Sequence, residues 1–457
     1  MNLFTVDQTL ILLYFLTTLG FGFYKQSGKD INSFLFAGRK LTIPALVATL
    51  VSTWYGGILE IGRFTYENCI VTWIIFGLFY YIAALLFVKF IAPKIIESNI
   101  PTIPEMFYRS IGKWPSLIAI ICVILITTPA PYLKILADLF YHVWEIPQFT
   151  ALCLGAALSL AYAFSGGFSA VVRTDKLQFV LMFTGFAILL FSCYFEYGGI
   201  SFLTRNTPDF AFSIPGNFNW TFIFVWGLIA LITFIDPGFY QRTFAGSSLK
   251  TVKKGIIISV LFWVIFDFMT VFTGLYALAV LPSINSSPYL DLAELILPPF
   301  AYGIFMVSLF AILMSTIDSF SFISAFTIGK DLTALLNLKQ DDASILRYTR
   351  CGLVITAMLS ILLAMYFEYA VDIWYLLGSF IVPALLFPLI AGLYGIKLKY
   401  APFLMTMPMI VSICWYLYGL AYPTVDGYPG YIWGLDPMYP GVLVSGILFA
   451  VFRKGKR

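Results

Sequence analysis

"STWYGG", residues 52–57, interrupts an otherwise apolar stretch that runs from Leu41 to Tyr66. A glycine in a helix interior costs about 1 kcal/mol relative to alanine, so a span carrying two in mid-course is prone to break there. A second interruption, "IDPGFYQR" (235–242), lies in the stretch 219–246. Pro237 has no N–H to donate and disfavours helical geometry at Asp236. Asp236-Pro237 falls in the inner third of its span, which makes Gly227 a further candidate for part of that break. Counting five apolar segments from each interruption gives two blocks, 41–195 and 219–394, of similar length. An odd number of segments per block turns the second upside down relative to the first. Interrupted segments at matching positions of inverted halves offer unpaired carbonyls and helix ends to ions and solutes. Close helix packing could use Gly56 and Gly57 to a purely structural end, but the matched second break weighs against it.

The chain around these breaks is 60% hydrophobic and 11% charged, with a mean hydropathy of +0.91. That balance excludes a soluble domain and places the protein in a lipid bilayer. A helix of roughly 20 apolar residues crosses the hydrocarbon core. Thirteen such spans are predicted, near 3–23, 41–66, 70–97, 114–143, 147–164, 175–195, 219–246, 252–281, 297–330, 345–366, 371–394, 401–421 and 438–453. The first has no basic segment before it and no small-residue cleavage site after it, and reads as a retained helix, not a signal peptide.

Charge gives an independent check. If alternate loops starting with the first are cytoplasmic, they hold 24 of the 27 basic residues, from Lys25, Lys29, Arg39 and Lys40 through Arg173, Lys176 and Arg242 to Arg457. Arg63, Lys134 and Arg205 fall elsewhere. The intervening loops carry Glu67, Glu145, Asp209, Asp291 and Asp426. The positive-inside rule then puts the N-terminus outside and the C-terminus in the cytoplasm of a cell-membrane protein. A net charge of +4 thus describes topology and implies no nucleic-acid partner. Six cysteines are scattered without a CxxC pair, and the single histidine, His142, lies at the end of its span.

One span is unusually polar. "ILMSTIDSFS" (312–321) places four hydroxyls and an aspartate inside the apolar stretch from Pro299 to Ile328. Ser315 and Thr316 follow Ile312 by three and four residues, so their side chains sit beside its carbonyl on one helix face. Carbonyls from an unwound Ser52–Tyr55 could complete a shell of about five or six oxygens around a hard cation. Such hydroxyls often bond back to their own helix instead. Asp318, one turn on, costs roughly 2.5–3.5 kcal/mol to insert, which by itself argues for function.

In these residues the chain resembles the sodium:solute symporter family, whose members carry proline, pantothenate, sugars, sialic acid or choline. The patterns "FLFAGRKL" (34–41), "SGGFSAVVRTDKLQ" (165–178), "DPGFYQRTFAGSS" (236–248) and "LMSTIDS" (313–319) match in order, and the resemblance covers about residues 5 to 455. It implies an all-α integral membrane protein with the leucine-transporter-type five-plus-five inverted repeat. One extra helix (3–23) would precede the repeats and two (401–453) would follow. By position in the matched motifs, the main sodium site would use backbone oxygens of Ser52, Tyr55 and Ile312 and hydroxyls of Ser315 and Thr316. Asp175 is implied in sodium passage or a second site, and Asp318 and Ser319 fall where second-site hydroxyls occur in some members. An aspartate at 318 departs from the usual small polar residue and leaves sodium number and proton involvement open.

Solute is expected between the two breaks and the third helix of the first repeat, at Trp54, Gly56, Gly57 and Glu60, with Tyr132 and Lys134 opposite, and Trp226 and Phe234. Lys134 receiving an anionic group and Glu60 a cationic one would suit an amino-acid-like or carboxylate-bearing solute. Lys134 pairing with Asp138 or Glu60 would be structural only. "TWYGG" also resembles a segment of choline carriers, where aromatic rings hold a quaternary ammonium. The expected function is sodium-coupled symport of a small organic solute by alternating access. The rivals are a proton-coupled carrier or solute sensor on the same scaffold and a membrane-embedded transferase. For the last, few catalytic side chains are on offer.

Overall fold

A computed structural model describes residues 5–24, 30–366, 370–424 and 429–456. Lys25, Lys29, Asp426 and Arg457, which enter the charge pattern, lie outside the described residues. Among those described, nine helices are long and apolar enough to cross a membrane. Two further spans are bent pairs: Ile43–Trp54 with Ile58–Asn68, inclined by 60°, and Trp220–Ile235 with Pro237–Ala245, inclined by 41°.

The first break is made by close approach. A Cβ on Gly56 would lie 2.6 Å from Thr316 Cγ2 and from Tyr132 Cδ1, and one on Gly57 would lie 1.7 Å from Trp374 Cη2. No larger residue lets the turn reach these neighbours. The second break combines a loosened turn at Ala230–Leu231 with Asp236, whose φ of −69° and ψ of 118° leave the helix. Asp236 Oδ1 then accepts the Phe239 N–H at 2.6 Å and restarts the helix with Pro237 in its first turn. Gly227 stays inside helix Trp220–Ile229 and takes no part in the break. The two interrupted spans are tied end to end: Leu41 N–H donates to Ala245 O (3.1 Å) and Ser247 N–H to Leu41 O (3.2 Å).

Two expectations about span ends need correction. The expected loop between 164 and 175 does not form, because Gln148–Tyr197 is continuously helical apart from one residue. Its 50 residues would extend ~75 Å if straight, more than twice a ~30 Å hydrocarbon core. Gly167 supplies the break, with φ 56° and ψ −151°. A Cβ there would also lie 2.4 Å from Phe34 O. Arg173 and Lys176 are therefore helical residues, and Arg173 donates to Gly22 O at 3.1 Å. The span 114–143 is in turn divided into Lys113–Ile126 and Ala130–Trp144, where Pro129 and Pro131 withhold N–H groups.

Helix Ala301–Phe326 carries the hydroxyl-rich stretch and is buried over almost its whole length, packed against Gln148–Tyr197. Asp7, on the first helix Val6–Phe23, caps it from outside. Phe300 and Gly303 N–H both donate to Asp7 Oδ1 at 2.9 Å, and a carboxylate there also complements the helix dipole. Near the C-terminus, helices Ala401–Ala421 and Met438–Phe452 are joined by a two-stranded antiparallel ribbon, Ile396–Leu398 with Arg453–Lys456.

Gly167→Ala should cost at least ~1–2 kcal/mol from the left-handed backbone alone, plus the clash with Phe34. Thermal melting in detergent should drop by several degrees, whereas Gly20→Ala, inside helix Val6–Phe23 with nothing within 4 Å of its added Cβ, should melt at or slightly above wild type.

Candidate functional site

The buried hydroxyl helix meets the first break at Ser315 and Thr316. Ser315 Oγ lies 2.9 Å from Ser52 Oγ and 2.7 Å from Asp175 Oδ1, and its one proton can go to either. Ser52 Oγ donates back to Ala48 O at 2.8 Å. Thr316 Oγ1 lies 2.9 Å from Thr53 O and 3.3 Å from Ile312 O. Three chain segments thus bring hydroxyl, carbonyl and carboxylate oxygens together out of contact with water. Hard alkali cations prefer this donor set, whereas softer transition metals favour nitrogen and sulfur. Among the described residues, no group of three His, Cys, Asp or Glu side chains converges anywhere.

Of the expected main-site residues, Ile312, Ser315 and Thr316 come together, and Ser52 meets Ser315 through its hydroxyl in place of the expected backbone oxygen. The Tyr55 carbonyl accepts from Ile58 N–H at 3.0 Å and its hydroxyl donates to Trp263 O at 3.2 Å. The threonine carbonyl two residues earlier, Thr53 O, meets Thr316. Asp175, assigned above to passage or a second site, touches the main cluster directly.

Arg242 differs most from its expected place. Counted among cytoplasmic loop charges, it is 1% exposed and sits between both interrupted spans and the hydroxyl helix. Its Nη2 lies 2.8 Å from both Thr53 Oγ1 and Ser319 Oγ, its Nε donates to Thr49 Oγ1 at 3.1 Å, and its Nη2 stands 3.9 Å from Asp175 Oδ2. The Thr49 hydroxyl in turn donates to Asp175. Ser319, a second-site candidate, is thereby bound to a fixed guanidinium. Asp318 points elsewhere. It is fully buried, with the Ser159 hydroxyl beside it and no ion pair among the described residues.

A cavity of about 180 Å³ opens beside this cluster. Trp54, Gly57, Tyr132 and Trp226 line it as expected, together with Trp73, Phe76, Tyr80 and Trp374. Gly56 packs behind Thr316, and Phe234 is buried outside the lining. Glu60 and Lys134 do not line the cavity either. Lys134 Nζ lies 3.5 Å from Asp138 Oδ1, the structural pairing. Helical phase explains both: Lys134 is about 200° round its helix from Tyr132, and Ile61, about 100° on from Glu60, takes the wall position. The charged residues that do line the cavity are Asp236, Arg242 and Asp267. The sequence reading missed Asp267 altogether, although an acid inside "WVIFDFMT" (263–270) is the signal an intramembrane charge gives.

A model of the Sodium:solute symporter family matches residues 34–407. The sodium/pantothenate symporter of Escherichia coli is 30% identical over 326 residues, covering 67% of this chain and 64% of that protein. The sodium/proline symporter of Haemophilus influenzae is 29% identical over 263 residues, covering 52% of this chain and 51% of that one. These matches span between half and two thirds of the relatives' length. Among solved structures, a substrate-bound, outward-open Na+-coupled sialic acid symporter superposes with a TM-score of 0.80 at 18% identity, over 98% of this chain and 99% of that chain. A nucleobase-cation-symport-1 family transporter in a closed conformation gives 0.58 at 10% identity, over 91% and 92%. At such identities the likeness is one of fold.

Arg242→Gln should leave Asp175 as an uncompensated buried charge and cost about 3–5 kcal/mol, seen as a large fall in melting temperature. Adding Asp175→Asn to that variant should recover a substantial part of the loss.

Proposed function

Since the chain belongs to the sodium:solute symporter family, we propose that it is a multi-pass membrane carrier that couples inward sodium flow to uptake of a small organic solute. The observation that carries this reading is the meeting of Ser315 and Thr316 with Ser52, Thr53 and Asp175 across the first break. Sodium entering from outside is held by Ser52, Ile312, Ser315 and Thr316, with Thr53 and Asp175 beside it. While held, it bridges the interrupted span to the hydroxyl helix and favours the form that accepts solute in the adjoining cavity. Its departure inward loosens that contact and lets solute leave to the cytoplasm. One charge moved across ~100 mV supplies about 2.3 kcal/mol, enough for roughly 50-fold accumulation.

The architecture proposed for this task is a single transporter domain of thirteen spans. The nine long helices, two bent pairs and short helix Met438–Phe452 support that number once Gln148–Tyr197 is divided at Gly167. An extra first helix (3–23), inverted repeats 41–195 and 219–394, and a closing pair (401–453) follow, with the N-terminus outside and the C-terminus cytoplasmic. An amino-acid or carboxylate solute received by Glu60 and Lys134 finds neither side chain at the cavity wall.

A second reading, proton coupling, rests on Asp318. Its carboxyl group is fully buried, with the Ser159 hydroxyl beside it and no ion pair among the described residues, as a group that binds a proton would be. Uptake with potassium replacing sodium across a pH series separates the two co-ions.

Ser315→Ala/Thr316→Ala should raise the sodium concentration for half-maximal thermal stabilisation, measured against potassium at constant ionic strength, by about tenfold or more. An unchanged sodium dependence in the double variant would sink the site.

A further inference from the structure

We infer that the cavity takes an organic cation, an amine or quaternary ammonium, whose positive end is received by Asp267. This names the solute class for the carrier proposed above and rests on that reading for the cavity's role. Asp267 stands on helix Leu249–Val280 and faces the cavity, half-buried. The Tyr81 hydroxyl donates to its Oδ2, and the Tyr55 phenol lies beside it. Among the described residues, no lysine or arginine nitrogen comes within 4.0 Å of it. Gly77, in the π-helical segment Ile74–Leu78, brings the opposite wall close: a Cβ there would lie 3.0 Å from Asp267 Oδ2.

The rest of the charge count points the same way. Asp236 is a second carboxylate on the wall, and its near oxygen caps the restarted helix. The one guanidinium on the wall, Arg242, is already shared among Asp175, Thr49, Thr53 and Ser319. An anionic solute would meet two carboxylates against a single guanidinium, whose Nε and Nη2 are already engaged. A metal ion is a poor occupant too, because most of the lining is apolar and ten of its 26 residues are aromatic. The ring faces attract organic cations but supply few of the oxygens a hard metal needs. A cavity of about 180 Å³ is smaller than the ~300–1,000 Å³ usual for drug-sized ligands, so the solute is small.

Four donors on the wall lack acceptors among the described residues: the indole N–H groups of Trp73, Trp226 and Trp374 and the Thr72 hydroxyl, of which Trp226 at 2% exposure and Thr72 at 1% are the most deeply buried. Buried donors of this kind are costly unless something satisfies them. A solute that also carries a hydroxyl, ether or carbonyl oxygen would do so.

The test compares matched skeletons differing in charge, read by quenching of the cavity tryptophans in purified protein at saturating sodium. One set is (2-hydroxyethyl)trimethylammonium, 3,3-dimethylbutan-1-ol and 3,3-dimethylbutanoate; the other is 2-phenylethylammonium, 2-phenylethanol and 3-phenylpropanoate. At least one cation should half-saturate at about tenfold lower concentration than its neutral and anionic counterparts. Asp267→Asn should abolish that preference while sodium-induced thermal stabilisation stays as in wild type. If Asp267→Asn does not fold, Tyr81→Phe, which keeps the carboxylate and removes the phenol that occupies its Oδ2, should strengthen the preference, and an unchanged preference there overturns the proposal. The proposal is overturned if neutral or anionic members bind as well, if Asp267→Asn keeps the preference, or if neither cation binds up to about 50 mM. Loss of sodium stabilisation in the wild type with the cation preference intact would instead count against sodium coupling alone.

Discussion

The hydroxyl pair of helix Ala301–Phe326 can reach the main chain of another span only because that span stops being a regular helix after Trp54. A continuous helix would spend each carbonyl on its own ladder, and in lipid no water would replace a lost partner. The break is therefore a constraint that everything nearby must satisfy. Thr316 takes up a carbonyl there, and Ser315 links Ser52 to Asp175. Arg242, from the second interrupted span, holds the threonines of the first. Each partner comes from a different part of the chain, which is why the oxygens converge at one point.

Arg242 and Asp175 form the one strongly charged contact in this junction. A buried ion pair seldom adds much stability by itself, because desolvation offsets most of the attraction. Here three hydroxyls also hold the guanidinium through Nε and Nη2, so its planar donors fix the relative positions of both interrupted spans and the hydroxyl helix. Position, more than stability, is what that arrangement contributes.

The sequence made the breaks and the hydroxyl pair legible because each is a local departure from an apolar background: two adjacent glycines, an Asp-Pro step, a Ser-Thr pair. What it hid were contacts set by long-range packing. Arg242 reads as a loop cation when basic residues are assumed to lie outside the bilayer, and only its partner Asp175, far away in the chain, shows otherwise. Asp267 meets Tyr81 across 186 residues. Glu60 and Lys134 lie near the breaks in number but on the wrong side of their helices, a matter of phase that proximity in sequence does not resolve. Gln148–Tyr197 shows the converse failure. Gly166 and Gly167 suggest a loop, but the surrounding helix continues through the one residue that needs a left-handed backbone.

Gly56 and Gly57 are adjacent, yet they touch different things: one rests on Thr316, the other on the Trp374 indole that walls the cavity. A two-residue turn with no side chains of its own thus touches both the proposed ion ligand Thr316 and the walls of the proposed solute cavity, Tyr132 and Trp374. Any shift of that turn which tightens one must be felt by the other. Linkage then demands reciprocity: whatever factor the first occupant lends to the affinity of the second, the second returns in full. The order in which the two arrive is a question of rates, and equilibrium affinities alone carry no memory of it.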